Sequence, residues 1–205
     1  MEFNVKIVGV GGQGVITLGR MLSEAGIYAG HNVVMSEIHG LAQRGGSVSV
    51  NVRFGELISP IPEAGSIDVV LGLEPLEALR NLGNVRDGIL YIIGLEKMVP
   101  VTLSVKGMEY PDTGKILSEI SSRNTLIPVD PDSFITMTSD RKMINSVVAG
   151  VFCGSDIFDI QKEDFQLAIK TMFPEKTVAR NIEYFEKGFD FAREYVRSTK
   201  YPRHN

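Results

Sequence analysis

Two stretches of this sequence gather residue types that could do chemistry. The first is Gly9-Val10-Gly11-Gly12-Gln13-Gly14, where Gly9, Gly11 and Gly14 fit the spacing G-x-G-x-x-G. An apolar run over residues 3–8 leads into it, and Val15, Leu18, Met21, Leu22, Ala25 and Ala29 follow at helical spacing. Strand, glycine turn and helix in that order make an anion-binding device. Glycine lets the backbone turn tightly and approach a phosphate, while the helix N-terminus offers free N–H groups and positive partial charge. Glu37 lies at the end of the next expected strand, near where a ribose-binding acid would sit. The spacing alone leaves three readings open: a nucleotide site, a site for another anion or a cofactor tail, and close strand–helix packing with no ligand.

The second stretch is Ser36-Glu37-Ile38-His39-Gly40-Leu41-Ala42-Gln43-Arg44-Gly45-Gly46-Ser47-Val48. A dinucleotide fold would place a helix and a further strand after its second strand. Here a polar loop follows, carrying an acid, an imidazole, an amide and a guanidinium. Arg44 beside Gly45 and Gly46 sets a planar, always-charged donor next to pliable backbone, which suits a carboxylate or phosphate held by two parallel hydrogen bonds. The plainer alternative is a solvated loop whose arginine caps a helix or pairs with Glu37. For His39, a structural hydrogen bond stands beside proton transfer.

Other chemistries are poorly supplied. Cys153 is the single cysteine and lies in the apolar stretch 147–153, where an inert core thiol is the expectation. One thiol cannot form an internal disulfide, in keeping with a reducing cytoplasm, and one thiolate cannot hold an iron–sulfur cluster. His31, His39 and His204 are too scattered for a zinc motif. The net charge of −4 lacks the basic excess of a nucleic-acid binder. No apolar run approaches the roughly 18 residues of a membrane span, and residues 1–8 do not read as a secretory signal.

The elements that must position these residues are legible from periodicity. Strands are expected at 3–8, 32–36, 47–54, 68–73, 89–94 and 125–129, with Val48, Val50, Val52 and Phe54 alternating in the third. Helices are expected at 75–82, 115–122, 142–152, 161–173 and 176–197, and no order after Ser198. In the last helix Val178, Ile182, Phe185, Phe189, Ala192 and Val196 form one apolar stripe, read as packing against the chain's own sheet or as a seam for a partner. The order predicts an α/β fold: a doubly wound, mostly parallel sheet with a Rossmann-like first unit and a helical C-terminal part. At 205 residues, one domain is expected, with an α/β core over about 1–155 and helices over about 156–198.

The two stretches together resemble the gamma-domain subunits of 2-oxoacid:ferredoxin oxidoreductases, and within that group the beta subunit of the indolepyruvate enzyme. The run Ser36-Glu37-Ile38-His39-Gly40-Leu41-Ala42-Gln43-Arg44-Gly45-Gly46-Ser47 carries the likeness most specifically. The resemblance implies a coenzyme A-dependent oxidative decarboxylation of a 2-oxoacid, for the nearest relatives an aryl pyruvate, to acyl-CoA, carbon dioxide and reduced ferredoxin. It implies a large alpha subunit holding thiamine diphosphate, Mg2+ and [4Fe-4S] clusters, with ferredoxin reached through the complex. This chain would hold none of these groups, with coenzyme A at or near the interface. It is expected to be inactive alone, with a homo-oligomer open to the isolated chain.

On this resemblance Gly9, Gly11, Gly12, Gln13 and Gly14 would receive a phosphate or the pantetheine tail. Gln43, Arg44, Gly45, Gly46 and Ser47 would face the interface near the active site. Arg44, His39 and Glu37 are the candidates for a supporting role in catalysis. A non-catalytic assembly subunit, another gamma subunit of the group and a stand-alone NAD(P)-binding oxidoreductase remain the alternatives.

Overall fold

The computed structural model describes residues 2–39, 45–56, 59–99, 103 and 107–199. Among them the chain runs β1 (Phe3–Val10), α1 (Val15–Tyr28), β2 (Val33–His39), β3 (Ser47–Phe54), β4 (Val69–Gly72), α2 (Pro75–Arg80) and β5 (Leu90–Gly94). It continues through α3 (Thr113–Ser121), β6 (Thr125–Val129), α4 (Pro131–Phe134), α5 (Ile144–Gly154), α6 (Lys162–Met172) and α7 (Glu175–Ser198). The expected α/β class is present, and the element boundaries fall close to those read from periodicity. The largest shift is in β2, which runs on through Glu37 to His39. The tail expected to lack order lies, beyond Thr199, outside the described residues.

Helix starts follow local chemistry. Pro75 opens α2 behind Glu74, whose carboxylate accepts the Glu77 N–H at 2.8 Å. Asp112 caps α3 through the Lys115 N–H at 3.0 Å, and Asp164 returns to the Gln161 N–H at 2.9 Å to start α6. Each cap satisfies an N–H that the first helical turn leaves without a partner.

The six strands form one sheet in the order β2-β3-β1-β4-β5-β6. β1, β4, β5 and β6 pair in parallel. β3 is antiparallel to both neighbours, pairing Phe3↔Phe54 through Val10↔Ser47 on one side and Val33↔Phe54 through His39↔Val48 on the other. The sheet is therefore mostly parallel, with β3 as its reversed strand. The Rossmann-like start keeps β1, the glycine turn and α1, but β3 stands where such a unit would place β2.

Helices cover both faces. One face packs Val5, Ile7, Val50, Val52, Phe54, Leu71 and Ile92 against α1, α5, α6 and α7. The other packs Val8, Val70, Tyr91 and Ile93 against α2 and α3. Phe54 is fully buried, an environment worth about 2 to 3 kcal/mol for such a side chain.

The apolar stripe of α7 turns inward, as the self-packing reading expected, yet its immediate neighbour is α5 rather than the sheet. Phe185 and Ala192 are fully buried in the same core. Glycine makes this crossing close. A Cβ at Gly150 would overlap the Phe185 carbonyl, and one at Gly188 would overlap the Val147 carbonyl. Cys153 lies here in the core as expected, 6% exposed; burial, its largest influence, pushes it up to about 12.

Candidate functional site

The carboxyl ends of the parallel strands point to one edge of the sheet. The helices after β1 and β4 leave on opposite faces, so a crevice opens between these strands at that edge. In open α/β sheets such a switch point is where ligands settle. The glycine loop sits at its mouth.

Gln13 organises the turn. Its own N–H donates to the Val10 carbonyl at 3.1 Å, its Oε1 accepts from the Val10 N–H at 2.8 Å, and its Nε2 donates to the Leu73 carbonyl at 2.9 Å. The side chain thus straps the end of β1 to the end of β4. Gly9 leaves room for it, since a Cβ there would come within 2.9 Å of both Gln13 Oε1 and Val15 Cγ2.

Gly12 differs in kind. Its φ is +109°, a conformation L side chains rarely adopt, and an added Cβ would meet nothing within 4 Å. Gly14, at φ 82°, stands at the N-cap of α1, which carries no side-chain cap and no acid in its first turn. The helix therefore presents its N-terminal N–H groups and positive partial charge to the crevice.

Sequence reasoning missed the residue that pins this loop from the far side. Asn145, in the first turn of α5, donates to the Gln13 carbonyl at 3.1 Å and the Gly14 carbonyl at 3.2 Å. It is 7% exposed, and its Oδ1 has no hydrogen-bond partner among the described residues. The available signal was a polar residue inside the apolar run 143–153. Beside it, a cleft of about 470 Å³ is lined by Gly12, Gln13, Gly14, Thr17, Arg141 and Lys142, among others. Arg141 is tied to Glu96 at 3.3 Å and Asp132 at 2.8 Å. A second cleft of about 300 Å³ lies on the other flank, against Val48 and the first turn of α1.

The structure joins parts of the two sequence stretches. The Gly11 N–H donates to the Gly46 carbonyl at 2.8 Å, and the Gly45 N–H to the Gly11 carbonyl at 3.4 Å. Ser47 opens β3, and its hydroxyl donates to Glu77 Oε2 at 2.6 Å. Gln43 and Arg44 lie outside the described residues, as does the side chain of His39.

Glu37 and His39 are not brought to the glycine turn. Both lie in β2, where Glu37 pairs opposite Val50 and His39 opposite Val48. Since β3 separates β2 from β1, they stand two strand spacings from β1, about 10 Å. The expectation that Glu37 would occupy the ribose-acid position fails for this reason: that position requires β2 beside β1, and β3 has taken the place.

Two further acids lie beyond β4. Glu74 and Glu77 are both fully buried. Glu74 accepts from the Tyr110 hydroxyl as well as from the Glu77 N–H. Burial is the largest influence on Glu74 and raises its carboxyl; the Tyr110 and Glu77 hydrogen bonds oppose it. Among the described residues no group of three or more metal-ligating side chains is placed to hold an ion, and no helix is long and apolar enough to cross a membrane.

Comparison with known proteins fits this architecture. Residues 4–191 match the pyruvate ferredoxin/flavodoxin oxidoreductase family. The chain is 34% identical to the indolepyruvate oxidoreductase subunit IorB of Archaeoglobus fulgidus over 193 residues, covering 94% of this chain and 96% of that one. Its fold is similar to the pyruvate oxidoreductase subunit PORC of Thermotoga maritima, with a TM-score of 0.68 at 18% identity over 92% of this chain and 96% of that chain. It is also similar to part of a 2-oxoglutarate:ferredoxin oxidoreductase from Magnetococcus marinus, solved with 2-oxoglutarate, coenzyme A and succinyl-CoA bound. There the TM-score is 0.72 at 20% identity, over 94% of this chain and 31% of that chain. This chain belongs to the pyruvate ferredoxin/flavodoxin oxidoreductase family.

Proposed function

We propose that this chain is the small subunit of an indolepyruvate-type 2-oxoacid:ferredoxin oxidoreductase and receives coenzyme A at its glycine loop. The observation that carries the reading is the seating of Gly45 and Gly46 against Gly11, beside the uncapped N-terminus of α1. The 34% identity to an indolepyruvate oxidoreductase subunit over nearly the whole chain supports the subunit assignment. The coenzyme A bound in the Magnetococcus enzyme supports the ligand class.

In this reading the larger alpha subunit holds thiamine diphosphate, Mg2+ and the [4Fe-4S] clusters, and delivers electrons to ferredoxin in the cytoplasm. Thiamine diphosphate, when bound there, supplies the electron sink for decarboxylation. This chain contributes binding and orientation. The backbone around Gly12 and Gly14 and the first-turn N–H groups of α1 take a phosphate of coenzyme A. Lys142 at the cleft adds positive charge. The side-chain amide of Gln13 is committed to the strand ends, its main-chain N–H to Val10 and its main-chain carbonyl to Asn145, so this residue shapes the loop rather than meeting ligand. Arg44, with Gln43, offers its planar fork to a phosphate or carboxylate at the subunit interface. Glu37 and His39, on the outer strand, act on the intervening loop rather than on the glycine turn.

The test is reconstitution. The chain purified alone is expected to be colourless and inactive; combined with the large subunit it should support aryl-pyruvate- and coenzyme A-dependent ferredoxin reduction. Turnover, or stoichiometric iron, in the pure chain would overturn the subunit reading.

A further inference from the structure

The residue whose burial demands an explanation is Glu77. Its side chain is 1% exposed on the six-residue helix α2. A carboxylate taken out of water is costly unless both oxygens find partners. Here each does: Oε1 meets Arg80 at 2.5 Å, and Oε2 accepts the Ser47 hydroxyl at 2.6 Å. Arg80 is one turn away on the same helix, with a side chain 38% exposed. That ion pair could form at the surface with no burial. What burial adds is the reach to Ser47, 30 positions away in sequence.

Ser47 is a junction. It directly follows Gly45 and Gly46, which seat against Gly11, and it begins β3 opposite Val10, the last residue of β1. Gly45, Gly46 and Ser47 are therefore held twice, by backbone bonds to the glycine loop and by a side-chain bond into the core. Glu74 steadies the second anchor, since it accepts the Glu77 N–H and the Tyr110 hydroxyl and so fixes the turn from which Glu77 projects.

We infer that Glu77 is a positioning residue: through Ser47 it sets where Gly45 and Gly46 sit on the glycine loop, and so tunes productive binding of coenzyme A without touching it. The inference rests on the coenzyme A reading of the glycine loop. A purely structural Glu77 would alter stability and leave the kinetics of the assembled complex untouched.

The experiment compares Ser47→Ala, Ser47→Thr, Glu77→Gln and Gly12→Val in the reconstituted complex, with assembly and Tm recorded for each. Ser47→Ala removes one hydroxyl from an exposed residue and leaves Glu77 Oε2 without that partner, so its Tm is read beside its kinetics. It is expected to lower kcat/KM for coenzyme A about tenfold, as loss of one charge-assisted hydrogen bond would, with KM for the 2-oxoacid unchanged. Ser47→Thr keeps the hydroxyl and should recover most of the loss. Glu77→Gln keeps an acceptor for Ser47 but loses the ion pair, and should fall between. If Gly12→Val raises KM for coenzyme A while Ser47→Ala and Glu77→Gln turn over like wild type, Glu77 is fold support and this inference alone fails. If none of the variants changes KM for coenzyme A, the glycine-loop reading itself fails and the inference goes with it.

Discussion

Glycine does two different jobs at two ends of this molecule. Where α5 crosses α7, Gly150 and Gly188 exist because backbone from the other helix occupies the place of a side chain. At Gly12 the reverse holds: the backbone conformation favours glycine, yet the space beyond it is open. The first pattern is a packed interior, complete in itself. The second is a backbone turn with open space in front of it, the feature on which the coenzyme A proposal rests. A count of glycines in the sequence cannot separate the two, because the difference lies in what occupies the place a Cβ would take.

Substitution should separate them by size and kind of effect. Gly188→Ala is expected to cost the most stability, about 3 kcal/mol, because the atom it meets is a backbone carbonyl that cannot swing away. Urea melts of the isolated chain would read it. A cost below about 0.5 kcal/mol would mean the crossing is looser than described, removing the contrast with Gly12.

Arg44→Ala comes next. It should leave folding and assembly intact and lower kcat/KM on the order of 10- to 150-fold, the equivalent of about 1.5–3 kcal/mol for a charge-assisted hydrogen bond. Arg44→Lys keeps the charge but not the fork and should lose less. Loss confined to coenzyme A would put the guanidinium on that ligand; loss for both substrates would put it at the interface. Wild-type turnover in both variants would make this a solvated loop.

Gly12→Ala should cost about 1 to 2 kcal/mol through backbone strain at its positive φ, with no steric share. Its distinguishing effect is expected on KM for coenzyme A in the assembled complex, measured with the 2-oxoacid saturating. A stability loss as large as that of Gly188→Ala would erase the distinction between the two glycines.

The smallest effect is expected at Cys153, in the packed half. Its folded value is raised from 9.0 to about 12, chiefly by burial. The thiolate is the reactive form, so labelling by a maleimide at pH 7 should be negligible until urea opens the chain. The protonated thiol's contribution to stability is complete below pH 9.0 and is lost as pH climbs toward 12. Rapid labelling of the folded chain would show that the α5–α7 half opens readily.

By itself the sequence determined the parts. Alternation placed Val48, Val50, Val52 and Phe54 on one face of a strand. A stripe placed Phe185 and Ala192 on one apolar face of a long helix, and a glycine turn marked the passage from the first strand to the first helix. These are local consequences of periods of two and 3.6 residues and of backbone freedom, and a short window of sequence contains them. Tertiary structure alone decided the neighbours. β3 pairs between β1 and β2, which carries Glu37 and His39 away from the turn they follow so closely in sequence. Asn145 arrives at the glycine loop from 131 positions further along, and Glu77 reaches Ser47 from 30. The physical reason is that strand order and buried polar pairing are settled by which distant surfaces exclude water together. No property of the residues in one stretch specifies the stretch that will lie against it.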